Sequence, residues 1–298
     1  MSLKWMKSSE QQAQPPSQPK PDIHGRLGLN LLYSPADPRL ELIFVHGLGG
    51  GSTKTWCYDE DISKFWPKEW LSQEAGFGNI RIYSYGYDSN WQSGGPSSYI
   101  DVVDFGRQLL ERLRSSPHIS SKNANPIVFV GHSMGGLVIK QAYVLARKDI
   151  STLDLAKRIK AMVFLGTPHK GSDLAKTLNK ILRVMPGWTP RAFISNLDRQ
   201  NQVLESLNTS FQPFAKDLVL WSFCESRPTD IKVSKEVIVP KESATLGYPN
   251  ERSVMLDADH RHVCKFKDRS DPSYKSVIKV LQVTTNAIMA RSDVRSSR

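Results

Sequence analysis

Cysteine is scarce, acidic residues are outnumbered and long apolar runs are missing, and each shortage excludes something. Three cysteines in 298 residues, Cys57, Cys224 and Cys264, are odd in number and far apart. They give neither a disulfide framework nor a metal-binding spacing, and a reducing compartment fits them. No stretch reaches the roughly 18 consecutive apolar residues of a spanning helix, and the Gln-, Ser- and Pro-rich start is not built like a signal peptide. We therefore expect an intracellular protein, cytoplasmic or peripheral to an organelle membrane. Gly51-Ser-Thr-Lys54 has the wrong order for a phosphate-cradling loop, which would want Gly-Lys-Ser/Thr opening a helix. Lys and Arg number 40 against 29 Asp and Glu, a formal charge of +11. The excess is concentrated between Lys140 and Arg191, where eleven Lys/Arg face only Asp149, Asp154 and Asp173. Solvated helix faces account for such a run, and an anionic membrane surface is the partner it would otherwise suit. No DNA- or RNA-binding motif accompanies it, so no nucleic-acid partner is expected.

What is present reads as one α/β domain with tails. Residues 1–25 form a polar leader expected to be disordered, 26–290 the single domain, and 291–298 a basic tail. Apolar runs at Leu27–Tyr33, Leu40–Val45, Ile80–Tyr85, Pro126–Val130, Ala161–Leu165, Leu218–Phe223 and Ser253–Leu256 predict strands. Helical patterns fall around Ser98–Arg114, Leu137–Ala146, Ser172–Phe214 and Tyr274–Ala290, and Val237–Val239 is a further apolar run. Alternation of this kind implies a mostly parallel sheet with helices on both faces. The stretch 172–214 lies where a helical cap is commonly inserted over a site at the sheet edge. Ser172 can cap its first helix, Leu174, Leu178, Ile181 and Leu182 share a face, and Pro186-Gly187-Trp188 can hinge it. The same face would serve equally for packing on the sheet.

Gly131-His132-Ser133-Met134-Gly135 sits between a predicted strand and a predicted helix. That context makes it the nucleophile elbow of an α/β-hydrolase arrangement. A serine hydroxyl is a weak nucleophile at neutral pH and needs a base, a carboxylate orienting that base, and donors for the oxyanion. In this arrangement acid and histidine follow the serine in that order. Three histidines lie C-terminal to Ser133: His169, His260 and His262. His169 comes too early, directly after the next strand, and is read as stabilising its loop. His260, in Asp257-Ala-Asp-His260 after a late strand, is the predicted base, with His262 competing. Glu225 emerges at the end of the strand Leu218–Phe223 and is the predicted acid, with Asp230, Glu236 and Glu242 as alternatives on the same connection. The loop His46-Gly-Leu-Gly-Gly-Gly51 follows an early strand, so the backbone N–H groups of Leu48 and Met134 are the predicted oxyanion donors. Neither a metal nor an organic cofactor is required. Trp56, Trp66, Trp70, Trp91 and Trp188 lie outside the main strands and are read either as lining an acyl pocket or as ordinary core.

Six segments in the same order, Phe44–Gly50, Gly131–Gly135, Phe164–Ser172, Glu225–Thr229, Val239–Ala244 and Asp259-His260 with Cys264-Lys265, resemble the lipase-like α/β-hydrolases related to serine-active-site-containing proteins. They also resemble the hydrolase domains at the N-terminus of fungal NACHT-, NB-ARC-, ankyrin- or tetratricopeptide-bearing proteins. The resemblance spans about residues 27–285 and implies an α/β-hydrolase fold, a Ser-carboxylate-His mechanism, and ester or phospholipid substrates. In the fungal multidomain proteins such a domain resembles an effector under the control of a nucleotide-binding module, which implies an interaction or signalling role as the alternative to catalysis.

Overall fold

Leu40–Val45 is almost wholly apolar because both faces of this strand are buried. Side chains alternate across a strand, so Ile43 and Val45 enter one core while Leu40, Leu42 and Phe44 enter another. The same division separates Phe129 from Val128 and Val130, and Met162 and Phe164 from Ala161, Val163 and Leu165. A sheet covered on both faces follows directly. The computed structural model describes residues 22–89, 102–120, 125–170, 174–183, 197–231 and 235–296.

The sheet strands are β1 (Gly28–Tyr33), β2 (Leu40–Val45), β3 (Ile80–Gly86), β4 (Ile127–His132), β5 (Ile159–Leu165), β6 (Val219–Glu225) and β9 (Glu251–Leu256), and a small hairpin is made by β7 (Thr229–Asp230) and β8 (Lys235–Glu236). Sheet order is β1-β3-β2-β4-β5-β6-β9. Only β1 runs antiparallel to its neighbour. The helices are α1 (Trp66–Glu69), α2 (Val102–Ser115), α3 (Met134–Lys148), α4 (Leu153–Arg158), α5 (Leu174–Arg183), α6 (Leu197–Ala215), α7 (Lys241–Ala244) and α8 (Pro272–Ser296). Helices α2, α3 and α6 cover the face of Ile43 and Phe129, while Trp66 of α1 and the apolar side of α8 cover the other. Val45 pairs with Gly131, His132 with Leu165, and Glu225 with Leu256. The carboxyl ends of six parallel strands, β3 included through the pairing of Tyr85 with Val45, therefore share one edge, the place where open α/β sheets hold ligands.

Five readings of the sequence are refined. In the stretch expected to form a cap, Leu204, Leu207 and Phe211 of α6 join the core that also holds residues of α3, so this helix packs against the body of the domain, one of the two roles its apolar face allowed. Ile181 of α5 is buried in that core as well; Ser172 and Pro186-Gly187-Trp188 lie outside the described residues. Trp56 and Trp66 are fully buried, each edge-on to Phe44 with centroids 5.1 Å apart, which makes them core and not an acyl pocket; Trp91 and Trp188 lie outside the described residues. The apolar run at 237–239 forms no strand, although Ile238 and Val239 are fully buried. Of the leader, residues 1–21 lie outside the described residues, while the His24 carbonyl accepts the Thr53 N–H at 3.2 Å. Helix α8 continues to Ser296, through most of the residues read as a basic tail.

Candidate active site

Between the last residue of β4 and the first of α3 stands a single residue, Ser133, with φ 51° and ψ −127°. A side chain at positive φ is strained by about 1–3 kcal/mol. The turn is enforced by close packing around it. A Cβ on Gly135 would lie 2.3 Å from the Val45 carbonyl oxygen and 2.4 Å from that of His46, so only glycine lets α3 begin against the end of β2. A Cβ on Gly47 would lie 2.8 Å from Cβ of Ser133, so the loop after β2 runs directly beside the serine. The Ser133 N–H donates to the Leu165 carbonyl at 2.9 Å, tying the elbow to β5.

His260 and Glu225 arrive from the ends of β9 and β6. Nε2 of His260 stands 3.1 Å from Oγ of Ser133, and Nδ1 stands 2.7 Å from Oε2 of Glu225. The other carboxylate oxygen, Oε1, accepts the backbone N–H groups of Ile238 at 2.6 Å and Val239 at 2.8 Å. The buried apolar run at 237–239 thus serves as an amide clamp on the carboxylate. Ser133, Glu225 and His260 are each no more than 2% exposed, so their contacts act in a low-dielectric setting where they are strongest. With Oε2 accepting, the ring proton sits on Nδ1 and leaves Nε2 free to accept from the serine.

The loop after β2 is braced by His46, a fully buried residue. The Tyr87 N–H donates to Nε2 of His46 at 3.2 Å, which puts the ring proton on Nδ1, and that atom donates to the Gly47 carbonyl at 2.8 Å. Burial depresses the His46 pKa to about 4, so this tautomer stays neutral at ordinary pH. Tyr87 stacks on the ring at 4.3 Å and its hydroxyl donates to the His46 carbonyl. Leu48 follows on this braced loop. Met134 is the first residue of α3, so its N–H has no intrahelical acceptor. The Met134 N–H therefore lies at the helix start directly after Ser133, and the loop that carries Leu48 passes beside the serine at Gly47.

A family comparison matches residues 42–264 to the alpha/beta hydrolase family. The chain belongs to that family. This hydrolase is 30% identical to "Protein SERAC1" of Danio rerio over 266 residues, covering 82% of this chain and 39% of the relative. It is 25% identical to "Triacylglycerol lipase" of Burkholderia plantarii over 182 residues, 55% of this chain and 41% of the relative. The chain thus spans about two-fifths of the length of these relatives. A Bacillus licheniformis lipase crystallised in propeptide form shares the fold, with TM-score 0.55 and 18% identity over 85% of this chain and 54% of that one. Among the described residues of the hydrolase, no helix is long and apolar enough to cross a membrane.

Of the competing residues, His262 binds Oδ1 of Asp259 at 2.7 Å and its side chain is 43% exposed, while Glu236 bridges to Lys180 at 2.7 Å. Asp230 and Glu242 are exposed. His169 is fully buried against Phe164, edge-on at 4.5 Å. Three sets of contacts were not anticipated by sequence reasoning. His132 donates from Nε2 to the His260 carbonyl at 3.1 Å, and burial, with His260 nearby, holds its pKa well below the usual range. Thr229 accepts the His260 N–H on its hydroxyl at 3.1 Å. The amides of Ile238 and Val239 clamp Glu225. The signal for the first lay in the elbow motif itself, whose variable position directly precedes the serine; the other two depend on chain returning from elsewhere.

Proposed function

We propose that the protein is a serine hydrolase of acyl esters, with lipid or phospholipid esters as its substrate class. The observation that supports this best is the unbroken relay from Glu225 through His260 to Ser133, with links of 2.7 and 3.1 Å. In this reading His260 Nε2 takes the serine proton as Oγ attacks the acyl carbonyl. Glu225 keeps the Nδ1 proton in place and balances the imidazolium. The N–H groups of Leu48 and Met134 receive the oxyanion. Collapse expels the alcohol, which leaves with the proton from His260; water then repeats the sequence on the acyl-serine, and an alcohol acceptor in its place gives transacylation. The lipase named among the relatives favours a lipid ester. So does the burial of Ser133, at 1% exposure, which favours activity that rises when substrate aggregates. Contact with an anionic membrane would run through α5, where Lys176 and Arg183 are exposed and Lys180 is paired with Glu236.

The test is labelling by a fluorophosphonate probe together with hydrolysis of short- and long-chain p-nitrophenyl esters, in wild type, Ser133→Ala and His260→Ala. Labelling and turnover present in wild type and absent from both variants are expected. A folded wild-type protein that neither labels nor turns over would overturn the catalytic reading and leave an interaction module on the same fold.

A further inference from the structure

Lys140 is fully buried on α3, two turns beyond Ser133. Its Nζ stands 5.1 Å from the Phe211 ring centroid, with no carboxylate at ion-pair distance among the described residues. A lone ammonium in such a place costs stability, and an apolar side chain would fill the space without that cost. Lys140 nevertheless has one strong partner. Its Nζ donates to Oδ1 of Asn208 on α6 at 2.5 Å.

From Asn208 the hydrogen bonds continue without a gap. Nδ2 of Asn208 donates to the His169 carbonyl at 2.6 Å. The His169 N–H donates to the Ser243 carbonyl in α7 at 2.7 Å, and the Ser243 hydroxyl donates back to the Lys170 carbonyl at 2.5 Å. The Ser243 N–H donates to the Pro240 carbonyl at 2.9 Å, and Pro240 directly follows the two amides that clamp Glu225. The chain therefore starts on the helix that Ser133 begins and ends on the groups that hold the carboxylate facing His260. The loop it crosses also touches the base, since a Cβ on Gly166 would lie 3.3 Å from Nδ1 of His260.

We propose that Lys140 and Asn208 are positioning residues for the Ser133 site, acting through the 166–170 loop and α7 on the Ile238 and Val239 amides. The proposal rests on the serine-hydrolase reading and deepens it. Burial, with Lys170 nearby, pushes the Lys140 pKa down to about 7, partly opposed by Glu251. The other titratable group beside it, His169, is held neutral by burial, with Lys140 and Lys170 adding to the effect. If the chain slackens, the amides withdraw from Glu225 and leave more negative charge for the His260 imidazolium. The grip of the carboxylate on the His260 ring then changes.

Asn208→Asp separates positioning from packing. The carboxylate keeps the acceptor for Lys140 and adds charge to it, but replaces the Nδ2–H that reaches His169 with an oxygen facing another oxygen. Expected are kcat lower by about tenfold, since small misplacements of reacting groups cost that much or more, an unchanged KM, and a melting temperature equal to or above wild type. The acidic limb of the kcat/KM pH profile should rise, with fluorophosphonate labelling slowed in proportion to kcat. Wild-type kcat and an unmoved limb in Asn208→Asp would overturn the proposal while labelling of wild type keeps the hydrolase reading. A loss that only tracks the folded fraction, with the limb unmoved, overturns it too. Should Asn208→Asp not fold, Lys140→Met decides by the same readouts. A wild type that does not label overturns the reading and this inference together.

Discussion

Glu225→Gln is the substitution on which the geometry makes the sharpest demand. Two backbone N–H groups, from Ile238 and Val239, point at the position of Oε1, and only an acceptor satisfies them. The amide oxygen of glutamine must therefore occupy that place. Its NH2 group then falls at the position of Oε2, 2.7 Å from Nδ1 of His260, and donates to it. Nδ1 becomes an acceptor, the ring proton moves to Nε2, and the nitrogen facing Ser133 can no longer take a proton. Replacing a triad acid by its amide costs on the order of 10⁴ in kcat through this wrong tautomer, about 5.5 kcal/mol of transition-state stabilisation at 1.36 kcal/mol per decade. Every hydrogen bond is still made, so the fold should be stable to within about 1 kcal/mol. Glu225→Ala is the poorer probe, because it orphans two buried amides and the imidazole at roughly 1–3 kcal/mol each. The assay is p-nitrophenyl ester turnover and probe labelling, with thermal denaturation alongside. A glutamine variant that keeps more than about a tenth of wild-type kcat, far from that loss, would show that Glu225 is not the orienting acid.

Gly135→Ala forces a methyl to within 2.4 Å of two carbonyl oxygens and should lower the melting temperature by several degrees, as overpacking of about 1–3 kcal/mol does in a domain of this size; an unchanged melting temperature would mean the elbow yields freely. His262→Ala and Asp230→Asn should each keep turnover within about twofold, the range of surface changes remote from a site, and a large loss in either would reassign the base or the acid. Lys140 has a folded pKa near 7 against an ordinary value of 10.5, so between those values the unfolded chain binds more protons and stability rises with pH. The gain approaches about 1.4 kcal/mol per unit from pH 7 to 9. Above pH 9 the buried Cys57 and Cys264 thiols, raised to about 12, oppose it. The stability gap between Lys140→Met and wild type in urea titrations should therefore narrow by about 2–3 kcal/mol from pH 7 to pH 9, at roughly 1.4 kcal/mol per unit, with methionine favoured more at the lower pH. Parallel curves would refute the buried-ammonium argument.

The strands and the elbow were legible because their information is local. Leu40–Val45 carries the same bounds in sequence and structure, as residues buried on both faces leave an almost continuous apolar run. Ser133 announced itself through flanking glycines and the change of period from strand to helix. The role of the stretch 172–214 stayed open in the sequence because an amphipathic helix presents the same stripe whether it lies over a site or against the body of a domain. What settles the matter for α6 is its contact with α3, which periodicity does not encode.

Glu225 was preferred in the sequence for its place at the end of an apolar strand, but the preference left rivals open. At the level of sequence it competes with Asp230, Glu236 and Glu242, all acidic and all on one connection. Nothing in the composition of Glu225-Ser-Arg-Pro separates it from them. Two features of the folded chain do. Glu225 is the last residue of β6 and pairs with Leu256, so it reaches the sheet edge beside the segment that carries His260. The chain then leaves, makes the β7–β8 hairpin, and returns 13 and 14 residues later with the Ile238 and Val239 amides against Oε1. A buried carboxylate oxygen without such donors would be left unsatisfied at a cost of roughly 1–3 kcal/mol. The short apolar run at 237–239, too brief for a strand of the sheet, has its physical account here: burial brings the backbone in, and the backbone supplies the donors that satisfy Oε1 of Glu225.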